Sequence, residues 1–194
     1  MTKIEPKASI EKIFSDSSDL IKESTTLIPE IEKVLQIIIH CIKHGNKIVV
    51  FGNGGSAADA QHIAAELVGK FQKDRSSFPA IALTTDSSVI TSIGNDFSFE
   101  NIFSRQCEGL ASKDDVAIGI STSGNSENVV RAINIANEAG CETLAICGYD
   151  GGKVKKIAKH SVHIKSFDMQ LCEDAHFMFG HMVMKRLCGD LINT

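Results

Sequence analysis

The chain has 194 residues, of which 43% are hydrophobic and 23% are charged, and its formal net charge is -4 at pH 7. This length predicts one domain large enough to bury a core, and the composition excludes disordered and fibrous classes. The acidic balance, without any run of basic residues longer than a pair, predicts no nucleic-acid partner.

The first twenty or so residues are too polar and too charged to form the apolar region of a secretory signal. Apolar stretches elsewhere fall short of the roughly 20 residues that a membrane helix needs. We therefore expect a cytoplasmic location and no membrane partner. The six cysteines include no pair separated by two residues, so they predict buried reduced thiols rather than a zinc ribbon or a redox dithiol.

We predict a single domain, 1–194. Within it, the spacing of apolar residues differs between residues 1–45 and residues 46–194. From 10 to 44, apolar residues recur at helical spacing, which predicts two helices. Beyond Gly45, short β-branched runs alternate with small-residue loops and helical stretches, the pattern of a parallel sheet with crossover helices. The predicted strands are 47–51, 80–83, 116–120, 143–147 and 161–164. The predicted helices are 56–69, 126–139, 153–159 and 171–191, the second of them closed by Gly140 as a C-cap.

Together these elements predict an α/β fold. It is a doubly wound, three-layer α/β/α sandwich with a five-stranded parallel sheet, preceded by N-terminal helices. In open sheets of this kind, ligands bind beyond the carboxyl ends of the strands.

Two loops at that edge predict an anion site. Residues 52–56 read Gly-Asn-Gly-Gly-Ser, residues 121–126 read Ser-Thr-Ser-Gly-Asn-Ser, and a predicted helix follows each loop. Such loops present backbone N–H groups, hydroxyls and a helix N-terminus to an anion, although ordinary capped turns have a similar composition. Both loops lack the Walker ending and the acidic ribose partner of dinucleotide sites, which favours a small phosphorylated molecule.

A second constellation consists of histidine and glutamate. His62 and Glu66 are four residues apart on a predicted helix that begins at the first loop, so they share a face and could hold one metal ion. A surface hydrogen bond between them is the alternative. In the last helix, Glu173, His176 and His181 interrupt an apolar stretch, and His176 is interpreted as a satisfied core residue.

The two loops resemble the sugar isomerase (SIS) domain and, within it, the phosphoheptose isomerase family. The resemblance covers nearly the whole chain and includes residues 59–62, 66–67, 93–97, 103–105 and 173–181. It implies a substrate site that includes the first two loops and an Asn-Asp pair. The expected substrate contacts are Asn53, Gly54, Gly55, Ser56, Asn95, Asp96, Ser121, Thr122, Ser123, Ser126 and Glu173.

The same resemblance implies one Zn²⁺ per subunit, held by His62, Glu66, Glu173 and His181. Glu173 stands where the family usually has glutamine, and Lys70 stands where an arginine is common. Glu173 and His181 are about 12 Å apart along one helix. They can therefore share an ion only if their side chains lean together, if the helix starts late, or if another subunit supplies one of them.

The implied activity is conversion of sedoheptulose 7-phosphate to D-glycero-D-manno-heptose 7-phosphate by aldose–ketose isomerisation through an enediol. This is the first step of nucleotide-activated heptose biosynthesis. Glu66 and His181 are the expected proton-transfer residues, and the implied assembly is a homotetramer with sites between subunits. Two alternatives remain: a non-catalytic phosphosugar-binding SIS regulator, including the DnaA initiator-associating type, and another SIS sugar-phosphate isomerase.

Overall fold

The computed structural model describes residues 6–72 and 74–192. Within these ranges a five-stranded sheet lies between layers of helices. The helices are α1 (Pro6–Glu23), α2 (Ile28–Lys43), α3 (Gly55–Val68), α4 (Ser87–Asp96), α5 (Ser104–Leu110), α6 (Glu127–Glu138), α7 (Gly152–Ile157) and α8 (Met169–Ile192). The strands are β1 (Ile48–Gly52), β2 (Ala80–Ala82), β3 (Val116–Ser121), β4 (Glu142–Cys147) and β5 (His160–His163). Short 3-10 turns occupy Ser24–Leu27 and Phe99–Asn101.

All strand pairs are parallel, and the strand order is β2-β1-β3-β4-β5. The direction of winding therefore reverses between β1 and β3. Their carboxyl ends lie side by side, since Gly52 pairs with Ile120. A reversal of this kind opens a crevice at the carboxyl edge of the sheet, which is where such folds bind ligands. The predicted fold class is confirmed.

Both faces of the central strands are buried, as expected for apolar runs in a parallel sheet. Ile48 and Val50 of β1 pack into a core formed with α2, α3 and α8. Val49 and Phe51 point to the opposite face and pack into a core formed with α5, α6 and α7. Helix α1 lies against α8. The first of these layers matters for function, because it places α3 beside α8.

The predicted strands and helices agree with the structure to within a few residues, the usual uncertainty of element ends. Gly140 has φ +84° and follows the end of α6, where the Cys141 N–H donates to the Ala136 carbonyl at 3.0 Å. The C-cap prediction is confirmed. Helices α4 and α5 were not predicted, because they span only 10 and 7 residues, too few turns for a helical repeat of apolar residues to be recognised. Asp86 starts α4 by accepting a hydrogen bond from the Val89 N–H.

No helix in the described part of the chain is long and apolar enough to cross a membrane. The thiols of Cys41, Cys107, Cys141, Cys147 and Cys172 are free and buried. Burial raises the pKa of Cys107 to about 12, which suppresses the reactive thiolate. The prediction of buried reduced thiols is confirmed for these five, while the Cys188 side chain lies outside the described residues.

His176 is a core residue, as predicted, but it is not satisfied. Its exposed fraction is 1%, and neither ring nitrogen has a hydrogen-bond partner among the described residues. Burial lowers the pKa of His176 to about 4. The neighbouring backbone of Cys147 acts in the opposite direction and raises the pKa, but by less. The folded protein therefore holds this imidazole in its neutral form.

This buried imidazole predicts a loss of stability in acid. The folded pKa lies below the unfolded one, so the free energy of unfolding should fall as the pH drops from about 6.5 towards 4, by about 2 kcal/mol at pH 5. Urea unfolding at pH 7.5 and pH 5 measures this pH dependence. We expect His176→Leu to reduce the difference in the free energy of unfolding between the two pH values. As a control, His40→Gln at an exposed position should preserve the difference. An equal pH dependence in wild type and His176→Leu would contradict the assignment.

Candidate active site at the carboxyl edge of the sheet

The two loops predicted to bind an anion meet at the carboxyl edge of β1 and β3. Gly54, with φ +56°, turns the first loop into the N-terminus of α3, where Gly55 is the first helical residue. Helix N-termini carry free N–H groups and a partial positive charge. The first loop is thus shaped for an anionic ligand.

A reciprocal amide pair joins the two loops. The Asn53 side-chain amide donates to the Asn128 oxygen at 2.8 Å, and the Asn128 amide donates to the Asn53 oxygen at 2.9 Å. The same Asn128 oxygen accepts from the Val129 N–H in the first turn of α6. Because Asn128 is buried, the pair fixes the spacing between the loops.

The pair predicts strong energetic coupling between Asn53 and Asn128. Either single alanine variant leaves the remaining amide without its partner, whereas the double variant removes both groups. We therefore expect each single substitution to weaken sugar-phosphate binding about as much as the double substitution, within a factor of about three. Calorimetric affinities for the four proteins measure the coupling. Additive losses in the double variant would contradict a positioning role for the pair.

The second loop is held by the segment that follows β4. Gly124 has φ +68°, and a Cβ atom there would collide with the carbonyl oxygen of Gly151. The Gly124 carbonyl accepts from the Val154 N–H at 3.0 Å, and the Asn125 side chain accepts from the Lys153 N–H at 3.2 Å. These contacts keep the hydroxyls of the second loop in a fixed arrangement.

The loops line an open cavity of about 520 Å³. Its lining residues are Asn53, Gly54, Gly55, Ser56, Ile120, Ser121, Thr122, Ser123, Ser126, Tyr149, Met169 and Glu173. Nine of the eleven expected substrate contacts are in this set. Asn95 and Asp96 are not in it: they end α4, are exposed, and are bonded to each other at 2.8 Å.

The histidine–glutamate cluster forms where α8 packs against α3. The Nε2 atoms of His62 and His181 are 3.2 Å apart. The Oε1 atom of Glu66 lies 3.1 Å from the first and 3.5 Å from the second. Each of these three residues offers one possible metal-ligand atom, and the three atoms lie within 4.8 Å of one another. Phe177 contacts both imidazole rings.

The cluster fits a small divalent metal ion. Tetrahedral zinc with bonds of roughly 2.0–2.1 Å places its ligand atoms about 3.3 Å apart, close to all three separations in the cluster. Two imidazoles and one carboxylate are also an established zinc donor set. The second carboxylate oxygen of Glu66, Oε2, is buried and has no hydrogen-bond partner among the described residues. A cation would compensate this buried negative charge.

Glu173 lies outside this three-residue group. A Cβ atom added at Gly55 would be 3.0 Å from both of its carboxylate oxygens, so the carboxylate rests against the N-terminus of α3. Two helical turns of α8 separate it from His181, as the spacing of these residues predicts. Glu173 therefore lines the cavity beside the two loops.

Sequence reasoning assigned no role to Asp59, which lies between the cavity and the cluster. Burial raises the pKa of Asp59 to about 6, the negative charge of Glu173 adds to the rise, and His62 opposes it. Its Oδ2 atom is buried without a partner among the described residues. The one available signal was its position one turn before His62. Asp59 therefore experiences charges from both the cavity and the cluster.

Comparison with known proteins identifies the family of the chain. The SIS domain family model matches residues 13–148. A phosphoheptose isomerase from Aquifex aeolicus is 50% identical over 175 residues, which cover 90% of this chain and 92% of that protein. One from Clostridium acetobutylicum is 45% identical over 191 residues, covering 96% and 97% of the two chains.

Solved structures give the same result. A phosphoheptose isomerase from Francisella tularensis has a TM-score of 0.91 at 30% identity, covering 94% of this chain and 97% of that one. Another from Neisseria gonorrhoeae has a TM-score of 0.89 at 34% identity, covering 94% and 98%. Fold, sequence and site geometry converge, and the chain belongs to the phosphoheptose isomerase family of SIS domain proteins.

Proposed function

We propose that the chain isomerises sedoheptulose 7-phosphate to D-glycero-D-manno-heptose 7-phosphate through an enediol, the first step of nucleotide-activated heptose biosynthesis. The observation that carries this proposal is the triangle that His181 of α8 forms with His62 and Glu66 of α3, the helix that begins at the cavity. His62 lies seven residues, or about 10 Å, along α3 from Gly55. A seven-carbon sugar phosphate suits this separation, with its phosphate at the loops and its first two carbons at the cluster.

The phosphate is bound by the loops that follow β1 and β3. Hydroxyls of Ser121, Thr122, Ser123 and Ser126 line the cavity beside the N-terminus of α3. Hydrogen bonds to a charged acceptor are stronger than neutral ones, so this end supplies most of the binding and fixes the orientation of the sugar.

Glu66 and His181 transfer the protons in this proposal. Glu66 takes a proton from C1 of the ketose and returns it to C2, while His181 moves a proton between the two sugar oxygens. The Glu66 side chain is 12% exposed, and its two oxygens face different surroundings. Oε1 faces the histidines, whereas Oε2 is buried and has no partner among the described residues.

We also propose that the cluster holds one Zn²⁺ per subunit through His62, Glu66 and His181. Glu173, the fourth ligand expected from the resemblance, would join them only by a movement of its side chain. When bound, the ion supplies a Lewis acid that stabilises charge on the substrate oxygens.

The proposed assembly is a cytoplasmic homotetramer with sites between subunits. Its support is the exposure of apolar side chains on α1 and around Asn95 and Asp96, namely Ile10, Ile13, Phe14, Phe97 and Phe99. In this assembly, Asn95 and Asp96 would contact the substrate in the cavity of a neighbouring subunit. Light scattering at micromolar concentration should give four times the mass of one chain, and a monomer would contradict the proposal.

The test of function is a substrate panel. The protein is incubated with sedoheptulose 7-phosphate, fructose 6-phosphate and an amino-sugar phosphate, with and without chelator, and aldose formation is followed by NMR. We expect the heptulose phosphate to react fastest and the chelator to suppress turnover. Preference for another substrate would favour a different SIS isomerase, and binding without turnover would favour a phosphosugar-sensing regulator. Full activity in chelator would contradict the zinc proposal.

A further inference from the structure

Tyr149 lines the substrate cavity in a backbone conformation that is unfavourable for tyrosine. It lies in the segment after β4, and its φ is +49°, in the left-handed region that favours glycine. A non-glycine residue stays in this region only where its surroundings hold it there, and such residues concentrate at ligand sites.

Hydrogen bonds hold the Tyr149 backbone on both sides. Its N–H donates to the Ser166 carbonyl at 2.9 Å, and its own carbonyl lies 3.0 Å from Nε2 of His163. Because a carbonyl can only accept, Nε2 must carry the proton, which leaves Nδ1 to accept from the Lys155 ammonium at 2.9 Å. This chain from Lys155 through His163 fixes the tautomer of the histidine and the position of Tyr149.

The ring of Tyr149 is held as well as its backbone. The Tyr149 ring stacks on Phe167 with centroids 5.6 Å apart and an interplanar angle of 24°. The preceding Gly148 N–H donates to the Thr122 carbonyl at 3.0 Å, which fastens this segment to the second loop. No hydrogen bond of the phenol hydroxyl is found with residues 6–72 or 74–192. A phenol is both a donor and an acceptor, so it can bind a ligand oxygen.

We propose that Tyr149 is a further substrate-positioning residue, whose hydroxyl donates a hydrogen bond to the phosphate end of the bound sugar phosphate. The phosphate end is chosen because the Gly148–Thr122 bond ties Tyr149 to the second loop. This assignment rests on the proposed function of the site. It adds to the serine-rich loops a residue that no motif in the sequence indicates.

The composition of the chain makes the test specific. The sequence contains one tyrosine and no tryptophan, so tyrosine fluorescence of the intact protein reports on Tyr149 alone. We expect sedoheptulose 7-phosphate to change this fluorescence with the same saturation curve that calorimetry gives for binding. Inorganic phosphate should change it in the same direction at higher concentration, because it supplies the proposed acceptor alone.

A conservative variant separates contact from packing. Tyr149→Phe keeps the ring against Phe167 and removes only the hydroxyl, so KM should rise about 10-fold or more while kcat changes little. Phe167→Leu, the matched control, removes the stacking partner and keeps the hydroxyl, and its KM should rise less than that of Tyr149→Phe. Circular dichroism verifies that both variants are folded.

Three results would overturn the assignment. The first combines two observations: sedoheptulose 7-phosphate binds the wild-type protein in calorimetry without changing its fluorescence, and Tyr149→Phe has the KM of the wild type. Tyr149 would then be only a packing residue. The second is a fluorescence response to sedoheptulose 7-phosphate but none to saturating phosphate, which would move the contact to the sugar hydroxyls. The third is no calorimetric binding of the sugar phosphate, which would overturn the proposed function and this assignment with it.

Discussion

Replacing Glu66 by glutamine should lower turnover of sedoheptulose 7-phosphate by about 100-fold or more, with little change in substrate affinity. Glutamine keeps the shape of the side chain and a neutral oxygen that can face the histidines. It cannot accept the substrate proton. The loss should therefore appear in kcat, measured by steady-state kinetics alongside metal content.

Glu173→Gln is the matched control for this variant. It also exchanges a carboxylate for an amide in the site, but at the loop end of the cavity, where the carboxylate rests against Gly55. Removing a negative charge next to the phosphate should preserve turnover and should strengthen binding of the anionic substrate. Near-normal kcat in Glu66→Gln, or an equal loss of kcat in both variants, would contradict the role of Glu66 as base.

Removing the hydroxyls of Ser121, Ser123 and Ser126 together should weaken sugar-phosphate binding by about 100-fold or more, since hydrogen bonds to charged groups contribute about 1.5–3 kcal/mol each and are not fully additive. Ser121 and Ser126 are bonded to each other at 3.1 Å, so they act as a unit. Calorimetry with sedoheptulose 7-phosphate measures the loss. The fold should persist, because the loop is held mainly through backbone atoms and Asn125.

A triple alanine variant of Ser15, Ser17 and Ser18 is the control for this experiment. It removes the same number of hydroxyls from α1, whose residues do not line the cavity. We expect wild-type affinity in the control. Unchanged affinity in the loop variant would remove the phosphate assignment, whatever the control shows.

The position of the two small-residue loops at one edge of the sheet could be predicted from sequence, because each loop and its flanking elements are local in the chain. A small-residue loop between a buried strand and a helix has one position in a parallel sheet, at the carboxyl edge. The pairing of Asn53 with Asn128 could not be predicted, since the residues are 75 apart in the chain and meet only through the register of β1 and β3. The left-handed backbone of Tyr149 likewise depends on tertiary contacts with Ser166 and His163.

The histidine–glutamate cluster could likewise be predicted only in part. His62 and Glu66 share a helix face, which their spacing alone predicts. His181 is 119 residues from His62 and joins the pair only because α8 packs against α3. The sequence therefore placed His181 in the cluster only through the family resemblance. The same resemblance placed Glu173 with the ligands, whereas the two turns between it and His181 set it beside Gly55.

The central claim, that Glu66 transfers a proton through an enediol, is tested most directly by isomerisation in deuterated water. Wild-type protein is incubated with sedoheptulose 7-phosphate in D₂O, and the product is examined by NMR. We predict an aldose with deuterium at C2, because the proton taken from C1 exchanges with solvent before it is returned. We predict almost no deuterium incorporation with Glu66→Gln. An aldose formed by the wild type with only protium at C2, or equal incorporation by the variant, would contradict the account.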